Sequence, residues 1–192
     1  MAFIVIEGDN GTGKDTIADF LHNNYSFSII SRLPDISDLE HQAKNLSGIS
    51  RINTFIKYNR ICGMRAESIS SGCLVRYWIS TLAAAFADNI MNLCDVLKKA
   101  EYCKKIMPVP DLVIRLKCNH QLRINRIINR RAAGGSQDDD ISNIRADKYS
   151  DISKKIIDIS GYKIFEIDTS SHEPEIIAGI IAKTAGNLNH GI

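Results

Sequence analysis

The residues best equipped for chemistry lie near the N-terminus, in the stretch EGDNGTGKDT from Glu7 to Thr16. Gly8, Gly13 and Lys14 have the spacing of a phosphate-binding loop. In such a loop glycines let backbone N–H groups approach phosphate oxygens, the following helix adds the positive end of its dipole, and the lysine brings a mobile cation to the β- and γ-phosphates. Gly8, Asn10, Gly11, Thr12, Gly13, Lys14, Asp15 and Thr16 are therefore the candidate ligands of a nucleotide's phosphate chain. Asp15 stands where the motif expects a hydroxyl residue. A carboxylate this close to triphosphate repels it strongly at low effective dielectric unless a cation lies between them. Mg²⁺ is such a cation, and Thr16 with Asp15 forms the candidate pair to serve it. The alternative reading of Asp15 is local, since negative charge is favourable in the first turn of any helix.

A phosphate loop works only between a strand and a helix. AFIVI (2–6) is a continuous, largely β-branched apolar run, the pattern of a strand buried on both faces, and KDTIADFLHNNY sets Ile17, Phe20 and Leu21 at helical spacing. FSIIS (27–31), GCLVRYW (72–78), DLVIRL (111–116) and YKIFEID (162–168) read as four more strands. Ile36 to Ser71 is polar and mostly helical with a break near NLSG. A long helix is predicted from about Ser80 to Lys105, with Leu82, Phe86, Ile90, Leu93 and Leu97 on one face. NHQLRINRIINRR is helical, AAGGSQDDD (132–140) is the most loop-like segment, and helices follow near 141–160 and in EPEIIAGIIAKTAG. Strands alternating with helices imply an α/β fold, a five-stranded parallel sheet covered on both faces, in one domain spanning 1–192. The tail NLNHGI is expected to fray.

Composition narrows the function. A chain of 192 residues with 44% hydrophobic content can bury one ordinary core. A net charge of +2 with dispersed Lys and Arg gives no electrostatic case for nucleic acid or an acidic membrane as a partner. Five cysteines, odd in number and without a CxxC pair, argue against a disulfide framework or zinc site and for a reducing, cytoplasmic setting. The longest apolar run, near Ala83 to Ala87, is too short to cross a bilayer, and Met1 leads straight into a strand without signal-peptide anatomy. The histidines show no metal-ligand spacing, and no nucleophilic triad is suggested.

FIVIEGDNGTGKDT, GCLVRYWISTLAAA, PDLVIRL and YKIFEIDTSS, in that order, resemble the thymidylate kinase family of nucleoside monophosphate kinases along essentially the whole chain. The specific matches are the loop and the RY segment. The resemblance implies a P-loop kinase fold, transfer of the ATP γ-phosphoryl to dTMP with Mg²⁺, and a homodimer to which the 80–105 helix contributes. It makes Lys14 and Arg76 catalytic candidates, and Arg32, Arg76 and Tyr77 candidates for the acceptor. In TFIKYNR (54–60), Phe55, Tyr58 and Arg60 are candidates for holding the base, with core packing as the alternative for an aromatic there. Arg130 and Arg131 precede a lid of about 129–142, where they either stabilise the transferring phosphoryl group or serve as solvated helix-end cations. Asp138, Asp139 and Asp140 are expected to face water or tether those arginines. Besides Asp15, four positions depart from the family pattern. Val75 and Leu33 replace carboxylates of the family's Asp-Arg-Tyr and Thr-Arg-Glu-Pro segments, Asn10 replaces a common acidic residue, and Thr12 an arginine that some members carry. These losses keep two alternatives open: a relative acting on a modified nucleotide, a nucleoside or another small molecule, and a nucleotide-binding module with little catalysis.

Overall fold

The computed structural model describes residues 2–134 and 143–188. Five parallel strands, β1 (Ala2–Glu7), β2 (Ser28–Ile29), β3 (Ser71–Val75), β4 (Leu112–Lys117) and β5 (Ile164–Asp168), form one sheet in the order β2-β3-β1-β4-β5. Among the described residues eight α-helices flank it: α1 (Lys14–Tyr25), α2 (Pro34–Lys44), α3 (Gly48–Glu67), α4 (Trp78–Ala87), α5 (Leu93–Ile106), α6 (His120–Ala132), α7 (Asn143–Ser160) and α8 (Pro174–Leu188). This is the expected α/β architecture.

The continuous apolar run of β1 is explained by its place between β3 and β4, where every residue is buried. Period-2 alternation divides its side chains between two cores. Ala2, Ile4 and Ile6 pack with α1 and α8 residues such as Leu21 and Ile181, whereas Phe3 and Val5 join Trp78, Leu82 and Ile156 on the other face. Glu7 continues the second face, and so points its carboxylate toward α4 and α7. Burial of this kind contributes about 25 cal/mol per Å² of apolar surface, which is why side chains such as Ile4 and Trp78, with no exposed surface, fix the sheet between its helices.

Three sequence expectations shift. The predicted 80–105 helix is two helices, because Asp88 and Asn89 end α4 in a turn, with Asn89 at φ 56, and Asn92 caps α5 by accepting from the Asp95 N–H at 3.0 Å. The strand expected at 72–78 ends at Val75, since Arg76 adopts φ 69 and breaks the pleat. The strand expected at 27–31 pairs only through Ser28–Ile29 and tightens into a 3₁₀ turn over Ile30–Arg32. Leu33 then takes the extended conformation that a following proline favours. The end of the expected lid, including Asp138 to Asp140, and the tail from 189 lie outside the described residues. No helix among the described residues is long and apolar enough to cross a membrane.

Candidate active site

Parallel register brings the chemistry to one edge of the sheet. Ile6 pairs with Val75, so the loop leaving β1 and the Arg76 turn leaving β3 emerge side by side at the strands' C-terminal ends, where open α/β sheets bind ligands. The loop is held by its backbone. Gly11 has φ 79, and a Cβ there would lie 2.7 Å from the Arg123 carbonyl oxygen, so both conformation and space require glycine. Gly13, at φ 87, begins α1 with no side-chain cap, the arrangement in which first-turn N–H groups can take an anion. The Asp9 carbonyl accepts from the Thr12 hydroxyl at 2.8 Å and from the Lys14 ammonium at 2.6 Å. Burial, with the nearby Arg76 guanidinium, lowers the Lys14 ammonium to about 7 against the opposing pull of Asp15, Asp9 and Glu7. A polyphosphate beside Lys14 favours its charged form.

A cavity of about 380 Å³ opens over this loop. Asn10 through Thr16 line it, with Arg76, Arg126, Arg130, Thr169 and His172. Lys14, Arg76 and Arg130 from the predicted catalytic set are thus brought together, whereas Arg131 does not line this cavity and Gly8 faces a different one behind the loop. Arg126 was missed by sequence reading. Its guanidinium donates to the Thr169 hydroxyl and to the Thr169 carbonyl, each at 3.0 Å, tying the segment after β5 to the loop cavity. Arg123, nearly buried, pairs with Asp9 at 3.3 Å. The signal was available: Arg123, Arg126 and Arg130 recur at three- and four-residue spacing, one face of α6.

A second, larger cavity of about 820 Å³ adjoins the first, and Asp15 and Arg76 line both. Arg32, Phe55 and Tyr58 line it as expected candidates for the acceptor. Arg32 is paired with Asp19 at 2.5 Å, and Phe55 stands edge-on to Tyr58 with ring centroids 6.2 Å apart and the Arg51 guanidinium 5.7 Å from its centroid. Arg60 is exposed and does not line the cavity, and Tyr77 is fully buried. The Tyr77 ring packs edge-on against Phe3, and its hydroxyl donates to the Pro108 carbonyl at 3.1 Å, because the Arg76 turn rotates it into the core. Gly63 on α3 makes the room, since a Cβ there would fall 2.5 Å from the Tyr77 hydroxyl. Lys44, Arg51 and Arg145 add positive charge that the sequence did not assign to this cavity. Arg145, on α7, donates to Asp88 at 2.7 Å and approaches Asp9 of the loop at 3.6 Å.

Arg76 is the hinge between the cavities. A left-handed conformation costs a residue with a Cβ about 1–2 kcal/mol, and such strain persists only where neighbours hold it. The Arg76 N–H donates to the Ile6 carbonyl at 3.0 Å, and its guanidinium donates to the Asn10 side-chain oxygen. Next to it, the buried Glu7 carboxylate accepts from the Tyr77 N–H at 2.9 Å and from the Ser80 hydroxyl. Glu7 escaped sequence reading because it looked like the last residue of a strand.

Thr16 and Asp15 are exposed oxygen-bearing side chains on the loop cavity, a donor set suited to a hard cation such as Mg²⁺. No cluster of three or more His, Cys, Asp or Glu residues able to hold a metal occurs among the described residues.

No family model matches the chain, and no curated protein sequence matches it. Solved structures do. Deoxyadenosine kinase from M. mycoides with bound dATP aligns over 95% of this chain and 98% of its own, at 14% identity and a TM-score of 0.65. The same enzyme with dCMP and dCDP aligns over 96% and 98%, at 16% identity and a TM-score of 0.63. The YorR protein of Bacillus subtilis, in complex with phosphorylated GDP, aligns over 98% of both chains, at 15% identity and a TM-score of 0.61. At these identities the match is one of fold: the chain has the α/β architecture of P-loop kinases from end to end.

Proposed function

We propose that this protein is a P-loop nucleoside monophosphate kinase that transfers the ATP γ-phosphoryl group to a pyrimidine deoxynucleotide, with dTMP as the first candidate. The carrying observation is the pairing of a phosphate loop with a second, basic cavity that shares Arg76 with it. Arg32, Lys44, Arg51, Arg76 and Arg145 outnumber the carboxylates Asp15, Glu40 and Asp88 in that cavity, a balance suited to an acceptor that itself carries phosphate. An acceptor phosphate is already a nucleophile, so the neutral side chains at Leu33 and Val75 are no obstacle. In this reading the loop amides and Lys14 bind the donor phosphates, Arg76 and Arg32 grip the acceptor phosphate, and Phe55 packs against the base. Arg130 and Arg145 approach from α6 and α7 to neutralise charge on the transferring group, with Arg131 kept as a candidate beyond the cavity wall. Thr16 and Asp15 would hold Mg²⁺ at the loop cavity, where the ion would supply positive charge to offset that of the donor phosphates. The resemblance further suggests a cytoplasmic homodimer.

Asp15 supports a second reading. It is the carboxylate that lines both cavities, where a general base would be needed if the acceptor were a nucleoside hydroxyl. ADP release from Mg·ATP against a panel of nucleoside monophosphates and nucleosides, with Lys14→Ala as control, separates the readings. Lys14-dependent turnover on monophosphates is expected, and Asp15→Asn should then cost little beyond a changed Mg²⁺ dependence. Turnover on nucleosides alone, abolished in Asp15→Asn, would replace the first reading with the second.

A further inference from the structure

We propose that Glu7 is the positioning residue for Arg76: it clamps the turn after β3 in the strained conformation that presents the guanidinium to both cavities. This rests on the reading of Arg76 as the ligand of the acceptor phosphate. The sheet does not ask for a carboxylate at this position. β1 is otherwise apolar, and Glu7 is only 2% exposed, so an acid there is costly unless its oxygens are used. Both are. One accepts from the Tyr77 N–H at 2.9 Å and the other from the Ser80 hydroxyl. Tyr77 immediately follows the residue at φ 69, and Ser80 lies in the first turn of α4, where negative charge is favoured by the helix dipole.

The clamp therefore grips the chain just downstream of the strain, while the Arg76 N–H to Ile6 carbonyl bond of 3.0 Å grips it at the strain itself. Burial raises the Glu7 carboxyl to about 7, yet Ser80, the Tyr77 N–H, Arg76 and Lys14 all pull the other way and favour the carboxylate. The network extends to α7, because the Tyr149 hydroxyl donates to the Ser80 hydroxyl oxygen at 3.0 Å. Through two side chains Glu7 thus connects the end of β1, the Arg76 turn and the helix that carries Arg145.

The test compares Glu7→Ala with Glu7→Gln in the full-length protein. Glutamine keeps an oxygen for the Tyr77 N–H and an amide for Ser80. Glu7→Ala is expected to raise the KM for the acceptor at least tenfold and the KM for ATP by a smaller factor, and Glu7→Gln to restore the acceptor KM to within about threefold of the original. In the double variant with Arg76→Ala, the Glu7→Ala effect on acceptor KM should disappear, since there is no guanidinium left to position. An unchanged acceptor KM in Glu7→Ala, or full additivity in the double variant, overturns the proposal. Should Glu7→Ala fail to fold, Ser80→Ala removes one arm of the clamp and must raise the acceptor KM alone, by a smaller factor. Backbone hydrogen exchange at Tyr77 provides a readout that needs no turnover: strong protection in the original protein, lost selectively in Glu7→Ala. If the original protein phosphorylates no monophosphate, the functional reading fails while this exchange comparison still decides the clamp.

Discussion

The phosphate loop takes its whole arc from one continuous stretch, Gly8 to Lys14, whereas the basic cavity beside it gathers Arg32 from the turn after β2, Phe55 from α3, Arg76 from the end of β3 and Arg145 from α7. On the loop side, function is written in backbone conformation, with glycines at positive φ and a lysine returning to the loop's own Asp9 carbonyl. On the cavity side it is written in side chains whose neighbours lie tens of residues away, as the contacts from Arg145 to Asp88 and Asp9 illustrate. A loop of the first kind binds phosphate wherever a strand and helix support it. A cavity of the second kind can change its lining by exchanging single residues without disturbing the fold, as the uncharged Leu33 and Val75 beside an intact sheet order illustrate.

The sharpest way to break the comparison is at Lys14. Removing its cation by Lys14→Ala should lower kcat for every acceptor by about 100- to 1,000-fold, the range for loss of one preorganised group that stabilises transition-state charge. A selective loss on one acceptor would show that the loop is not acceptor-blind. Next in size is Arg76→Ala. Loss of a charge-assisted contact costs about 1.5–3 kcal/mol, so acceptor KM should rise by about one to two orders of magnitude in steady-state kinetics. Because Arg76 lines both cavities, a smaller rise in ATP KM should accompany it. Phe55→Leu keeps an apolar wall but removes the ring, and acceptor KM should rise only a few-fold with kcat unchanged.

The smallest effect is one of protons. With Lys14 lowered to about 7 by burial and Arg76, much of it is neutral at pH 8 in the unliganded protein, and bound polyphosphate raises it again. ATP binding at pH 8 should take up a fraction of a proton, at most about one. The uptake should vanish below pH 6, where Lys14 is already charged, and be absent at both pH values in Lys14→Ala. Calorimetry in buffers of different ionisation enthalpy measures it, and affinity for ATP should weaken as pH rises above 7.

This difference in construction also explains what could be read from the sequence. The loop, its strand and its helix were legible because motif, apolar run and helical spacing are all local. The five-strand parallel sheet followed from alternation. The division of the predicted 80–105 helix was signalled by Asp88, Asn89 and Asn92, whose turn and cap preferences were outweighed by the apolar spacing around them. Tyr77 lies in the core rather than on the cavity because a single residue at φ 69 before it reverses which way the ring faces, and strand alternation cannot foresee that. The contacts of Arg145 and Glu7 escape a sequence reading for the same kind of reason: they form only when α7, α4 and β1 meet.

The central claim, that the basic cavity reads phosphate through Arg76, is tested most directly by kcat/KM for dTMP against thymidine in the original protein and in Arg76→Ala. The account predicts a preference of at least 100-fold for dTMP that falls by about tenfold or more in the variant. Equal activity on the two acceptors, a preference for thymidine, or a dTMP preference that survives Arg76→Ala undiminished would contradict it.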